Sequence, residues 1–111
     1  MIKLKVLPGQ EVLAALTAQL AERNIREAAI VSLIGAADEF CISNMAKADA
    51  MKDILTEYTE PCELSGTGAV SDGKVHIHVV LGREDNSTLS GHLHWANVKS
   101  YFVEAYVMPL D

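Results

Sequence analysis

Lys74-Val75-His76-Ile77-His78-Val79-Val80-Leu81-Gly82-Arg83-Glu84-Asp85-Asn86-Ser87-Thr88-Leu89-Ser90-Gly91-His92-Leu93-His94-Trp95 is the stretch on which the fold turns. Lys74 to Leu81 and Thr88 to Trp95 are runs of apolar and β-branched residues on either side of the turn residues Gly82 to Ser87, the pattern of a β-hairpin. All four histidines of the chain lie here, as His76-Ile77-His78 on the first run and His92-Leu93-His94 on the second. Alternate residues of a strand face one side, about 7 Å apart, so each pair projects two imidazoles together.

The register of the hairpin decides what the two pairs can do. A turn centred on Asp85 sets His78 opposite His92 and His76 opposite His94, with all four rings on one side. A two-residue turn at Asp85-Asn86 shifts the pairing by one and sends the pairs to opposite faces unless a bulge restores them. Three neutral imidazoles at about 2.1 Å from a Zn²⁺ ion make a site whose fourth position stays open to water or a ligand carboxylate. Zinc there polarises a carbonyl or lowers the pKa of bound water to about 7, and other divalent transition metals also suit imidazole. The competing reading is a polar sheet face with no ligand.

Outward from the hairpin, Cys62 to Val70 and Tyr101 to Met108 also read as strands, and Ser71-Asp72-Gly73 marks a tight turn, because Asp-Gly accepts positive φ. Gln10 to Asn24 places Val12, Leu13, Leu16 and Leu20 at helical spacing, with Glu11 near the start and Arg23 near the end, as the macrodipole favours. Pro8-Gly9 separates this helix from a first strand, Ile2 to Leu7, and Asn24 closes it in a left-handed conformation. Glu27 to Ala37 reads as a strand buried on both faces, and Phe40 to Met45 as its continuation or partner. Ala46 to Asp53 reads as a loop leading into a strand at Ile54 to Thr59.

The 111 residues make one domain, 1–111, with no internal repeat or linker. Half of the chain is apolar but only 5% is aromatic, so the core is aliphatic and disorder is excluded. Nine Lys and Arg against fifteen Asp and Glu leave a net charge of −6, and the cations are scattered, so nonspecific DNA binding starts at a disadvantage. The longest nearly apolar stretch, Ala28 to Ala37, is about half a membrane span. With no secretion signal at the start, the expected location is cytoplasmic, and Cys41 and Cys62 are expected to be reduced packing residues.

Gly66-Thr67-Gly68-Ala69-Val70, His76 to Asp85 and Ser90-Gly91-His92-Leu93 together resemble the plants-and-prokaryotes conserved (PPC) domain, and the likeness spans nearly the whole chain. The resemblance implies an α+β fold of mainly antiparallel β-sheets packed with one principal helix, related to acetolactate decarboxylase and assembled as a homotrimer. It implies His76, His78 and His92 as metal ligands, with zinc the expected ion, and leaves His94 outside the shared pattern. The function it implies is a metal site binding a small ligand, with lyase-like activity open. The alternative is a DNA-associated or transcription-regulatory module, although the Arg-Gly-Arg-Pro hook of the family's plant members is missing here. Arg83 and Glu84 read as a charged turn, Glu63 and Glu104 equally as strand residues facing a cavity or as edge-strand charges, and Trp95, Tyr101, Phe102 and Tyr106 as core or interface packing. Gly66, Gly68 and Gly91 read as close-approach or bulge positions and not as a phosphate loop.

Overall fold

The computed structural model describes residues Met1–Leu110. Its order is β1 (Ile2–Val6), α1 (Val12–Glu22), β2 (Ala28–Ala37), β3 (Glu39–Ala46), β4 (Asp49–Tyr58), β5 (Cys62–Ser71), β6 (Lys74–Gly82), β7 (Thr88–Asn97) and β8 (Val103–Pro109). The eight strands form one sheet in the order β1-β8-β2-β5-β6-β7-β3-β4, and every neighbouring pair is antiparallel. This is the α+β class read from the sequence, with one helix against a mainly antiparallel sheet.

The helix forms where its apolar residues recur every four positions, burying Val12, Leu16 and Leu20. Its first turn is held by Glu11, whose carboxylate accepts from the backbone N–H groups of Leu13 and Ala14 at 2.9 Å each. The same carboxylate accepts from the N–H of Ala96 at 2.9 Å, which ties the helix start to β7. At the other end Asn24 sits at φ 56°, as expected, while Asn24 N–H donates to Ala21 and Ile25 N–H to Leu20. That pair of bonds is a Schellman motif and satisfies carbonyls the helix leaves open.

The sheet curls around α1, which packs on both β1 and β7. Between them lie Leu4, Val6, Ile30, Leu33, Ile77, Val79, Leu81, Leu93, Val103, Ala105 and Val107, an aliphatic core as the composition required. Because a single helix covers one face, strands alternate buried with exposed positions. Strand β2 is therefore not buried on both faces: Val31 and Ile34 are exposed, and a bulge after Ile30 re-aims the strand so that Leu33 returns to the core.

The largest departure from the sequence reading is at Ala46 to Asp53. Those residues are not a loop, since β3 runs to Ala46 and β4 begins at Asp49. Strand β4 is the sheet's edge and is exposed along nearly its whole length, so no burial alternation marks it as a strand. Cys41 and Cys62 are both free and buried, and burial pushes both thiols up from the ordinary range.

Candidate metal centre

Turn chemistry sets the register of the histidine strands. Asn86 adopts φ 70°, Asn86 N–H donates to the Arg83 carbonyl, and Arg83 N–H donates to that of Ser87, closing the loop between Gly82 and Thr88. The resulting ladder pairs Gly82 with Thr88, Leu81 with Leu89, and His78 with His92, the register of a turn centred on Asp85. Ile77, Val79 and Leu93 face the core, so His76, His78 and His92 share the opposite face.

These three rings converge. Centroids lie 5.0 Å apart for His76 and His78, 4.6 Å for His76 and His92, and 5.8 Å for His78 and His92. The Nε2 atoms of His76 and His78 are 3.1 Å apart, and one nitrogen from each of the three lies within 4.8 Å of the others. Nitrogens around a tetrahedral ion at 2.1 Å stand about 3.4 Å apart, so small ring rotations suffice to bring all three into coordinating position. The Nδ1 of His92 is enclosed and meets no hydrogen-bond partner among the described residues. An orphaned buried imidazole nitrogen is costly, and a cation is one partner that relieves it. The donor set and its spacing fit a borderline-soft divalent ion.

Electrostatics favours the ligating form of His92. Burial holds its imidazole below the usual histidine range, the neighbouring His76, His94 and His78 push the same way, and Asp53 opposes them. The uncharged ring that results is the form a metal needs.

His94 does not join the cluster. The pairing of β6 with β7 ends at His78 and His92, and β7 bulges against β3: Cys41 pairs with Trp95 but Ile42 with Leu93, leaving His94 as the extra residue. The expected pairing of His76 with His94 fails for that reason. His94 instead packs edge-on against His92, with centroids 4.8 Å apart, and its Nε2 lies 2.8 Å from the Ser43 hydroxyl. Ser43 is buried and sits opposite His92 on β3.

A cavity of about 390 Å³ opens over the cluster, lined by the three histidines with Ser43, Met45 and Asp53. Asp53 and Ser43 escaped the sequence reading. Only a strand assignment for β4, pairing Asp53 with Met45, puts that carboxylate beside the histidines. The glycines have a clear role: a Cβ on Gly66 would lie 2.4 Å from the carbonyl oxygen of His78, and one on Gly68 2.2 Å from that of His76. Side-chain-free positions on β5 let the histidine strand lie this close.

The charged residues near the turn serve elsewhere. Arg83 pairs with Glu60 at 3.0 Å and lies over the Tyr58 ring, while Glu104 pairs with Lys3 at 3.1 Å. Glu63 and Glu84 line a separate cavity beside Arg83. Tyr101 is exposed and outside the core, whereas Phe102 takes the Lys5 ammonium over its ring at 4.5 Å. No helix among the described residues is long and apolar enough to cross a membrane.

Fold and site together define a small one-helix, eight-stranded antiparallel domain with three histidines converging on the open sheet face. The chain belongs to the Plants and Prokaryotes Conserved (PCC, also written PPC) domain family, whose pattern matches residues 1–111. A PPC protein from Pyrococcus horikoshii superimposes with a TM-score of 0.87 at 26% identity, over 99% of this chain and 78% of that one. A metal-containing protein from Archaeoglobus fulgidus is 31% identical, with a TM-score of 0.79 over 99% of this chain and 79% of its own. A protein from Ralstonia eutropha JMP134, provisionally described as DNA-binding, shares the fold at a TM-score of 0.83 with 20% identity, over 97% of this chain and 76% of its own. No curated protein matches the sequence.

Proposed function

We propose that this protein binds a small oxygenated ligand at a metal centre held by His76, His78 and His92, with zinc the favoured ion. The observation that carries this reading is the convergence of one nitrogen from each histidine within 4.8 Å. The Archaeoglobus protein's metal content supports it from outside the chain. A zinc ion bound by three neutral imidazoles keeps an open position and supplies Lewis acidity there. The protein's own part is to fix the three rings through the β6–β7 register, to hold His92 neutral, and to present Asp53 at the cavity wall. Binding requires only the three rings, whereas lyase-like chemistry needs in addition a cation for a substrate carboxylate and a positioned proton donor.

The working assembly is a cytoplasmic homotrimer. Met45, Met51, Ile54 and Leu55 are exposed apolar residues on the β3–β4 hairpin, and β4 has an unpaired edge. An apolar edge of this kind is a surface that a second copy can cover.

Elemental analysis of protein purified without an affinity tag, after zinc supplementation at neutral pH, tests the centre. About one ion per three-histidine site in the parent and little in His78→Ala is the expected pair of results. Less than a tenth of an ion per chain in the parent overturns the proposal. Direct DNA binding is the competing reading, favoured by the description of the Ralstonia protein. It predicts an affinity that falls steeply with salt, whereas a chain of net charge −6 is expected to show none.

A further inference from the structure

From the cross-strand order of the open sheet face we infer that the ligand carries an uncharged, hydroxyl-bearing tail, as a sugar acid, a sugar or a polyol does; the inference rests on the metal-centre reading above. Register places Thr67 beside His78, His78 beside His92, and His92 beside Ser43, one continuous row across β5, β6, β7 and β3. The next row on the same face is Ser65, Val80 and Ser90, displaced by two residues, about 7 Å, along the strands. Neighbouring residues of such rows have Cβ atoms only about 5 Å apart, so the Thr67 hydroxyl stands next to the metal centre and those of Ser65 and Ser90 one step beyond.

A cavity of about 580 Å³ covers this region, with Ser32, Ser65, Thr67 and Ser90 on its wall, and His78 and Asn44 belong to both this cavity and the one over the histidines. The two are therefore adjoining parts of one surface: a metal-ligating end and a hydroxyl-lined end. Among the described residues no Lys, Arg, Asp or Glu lines the larger part, and Asp53 is the charged residue of the smaller. A second carboxylate on the ligand finds no cation there to offset its desolvation. The Asn44 amide already donates to the Ser90 carbonyl at 2.8 Å, but an alkyl tail laid on this wall displaces water from the hydroxyls of Ser65, Thr67 and Ser90 and returns no hydrogen bond. Ligand hydroxyls, each both donor and acceptor, match serine and threonine.

Three five-carbon acids with the same 2-hydroxy-carboxylate head isolate the tail: ribonate, 2-hydroxypentanoate and 2-hydroxyglutarate. Zinc content is measured first, and titration calorimetry follows on zinc-loaded parent and on Ser65→Ala/Thr67→Val. The expected result is ribonate binding at least five-fold more tightly than either competitor, with that advantage lost in the double variant while its zinc content stays at the parental level. Equal or tighter binding of 2-hydroxypentanoate or 2-hydroxyglutarate to zinc-loaded protein overturns the inference and leaves the metal centre standing. So does a ribonate advantage that survives the double substitution, or no binding of any of the three. A parent that takes up no zinc overturns the metal reading itself, and this inference with it.

Discussion

Replacing Gly68 by alanine is the sharpest structural test of how the histidine strand is positioned. The added Cβ would lie 2.2 Å from the His76 carbonyl oxygen, 3.0 Å from Ile77 Cγ1 and 3.1 Å from Ile77 Cα. Two of those three atoms belong to the backbone, which cannot swing aside as a side-chain end can. Raising 2.2 Å to 3.0 Å, the shortest approach that real Cβ atoms make, moves β6 by at least 0.8 Å relative to β5. Metal–ligand distances tolerate only about 0.2 Å, so a shift of that size matters at His76 and His78. Strain of this kind costs about 1–3 kcal/mol of stability. Gly82→Ala is the matched control, because its Cβ would meet nothing closer than 3.9 Å and Gly82 lies at the end of the same strand. A glycine-to-alanine change at an unstrained site is neutral or stabilises by about 0.4–1 kcal/mol. Urea unfolding and zinc titration on the two variants separate the cases. Gly68→Ala is expected to lose stability and at least ten-fold in zinc affinity, Gly82→Ala neither. Parental behaviour in both properties for Gly68→Ala refutes the close-approach argument.

Glu11→Ala removes the acceptor of three backbone N–H groups, those of Leu13, Ala14 and Ala96, and should cost about 2–3 kcal/mol by chemical denaturation; a loss under 0.5 kcal/mol contradicts the capping role. Metal-free protein should keep its full stability above about pH 6.5 and lose some as pH falls through the lowered pKa of His92, because the unfolded chain then binds a proton that the buried ring resists. His92→Gln should flatten that part of the curve, and an unchanged slope would falsify the assignment. On the proposed trimer of 12.0 kDa chains, light scattering should give three chains for the parent and monomers for Met51→Lys with Leu55→Lys; a monomeric parent overturns the trimer, and an unaltered trimeric mass in the variant removes the β3–β4 hairpin from the interface.

What the sequence made legible follows from where local chemistry dictates structure. Strand periodicity of 2 set His76 with His78 and His92 with His94, but two hairpin registers stayed open and the choice of His76, His78 and His92 came from the family resemblance; the structure adopts the register centred on Asp85, with Asn86 at positive φ. Helix α1 was readable from Val12, Leu16 and Leu20, and its ends from Glu11 and Asn24. The position of His94 was not, since a bulge against β3 depends on the partner strand and leaves no mark in the His-Leu-His pattern itself. The second half of β4 was read as a strand at Ile54 to Thr59, but its first half, Asp49 to Asp53, was missed because the strand is exposed along nearly its whole length and burial imposes no alternation on it. Asp53 was lost with it: a carboxylate in a supposed loop has no assigned face, whereas one paired with Met45 stands at the wall of the histidine cavity.

Cobalt(II) titration of the parent and of four single variants, His76→Ala, His78→Ala, His92→Ala and His94→Ala, followed by visible absorption, bears most directly on whether three imidazoles share one ion. Saturable binding at one ion per site is expected in the parent and in His94→Ala, with loss of the signal in each of the other three. Binding that survives in any of those three, or that vanishes with His94, contradicts an ion shared by His76, His78 and His92.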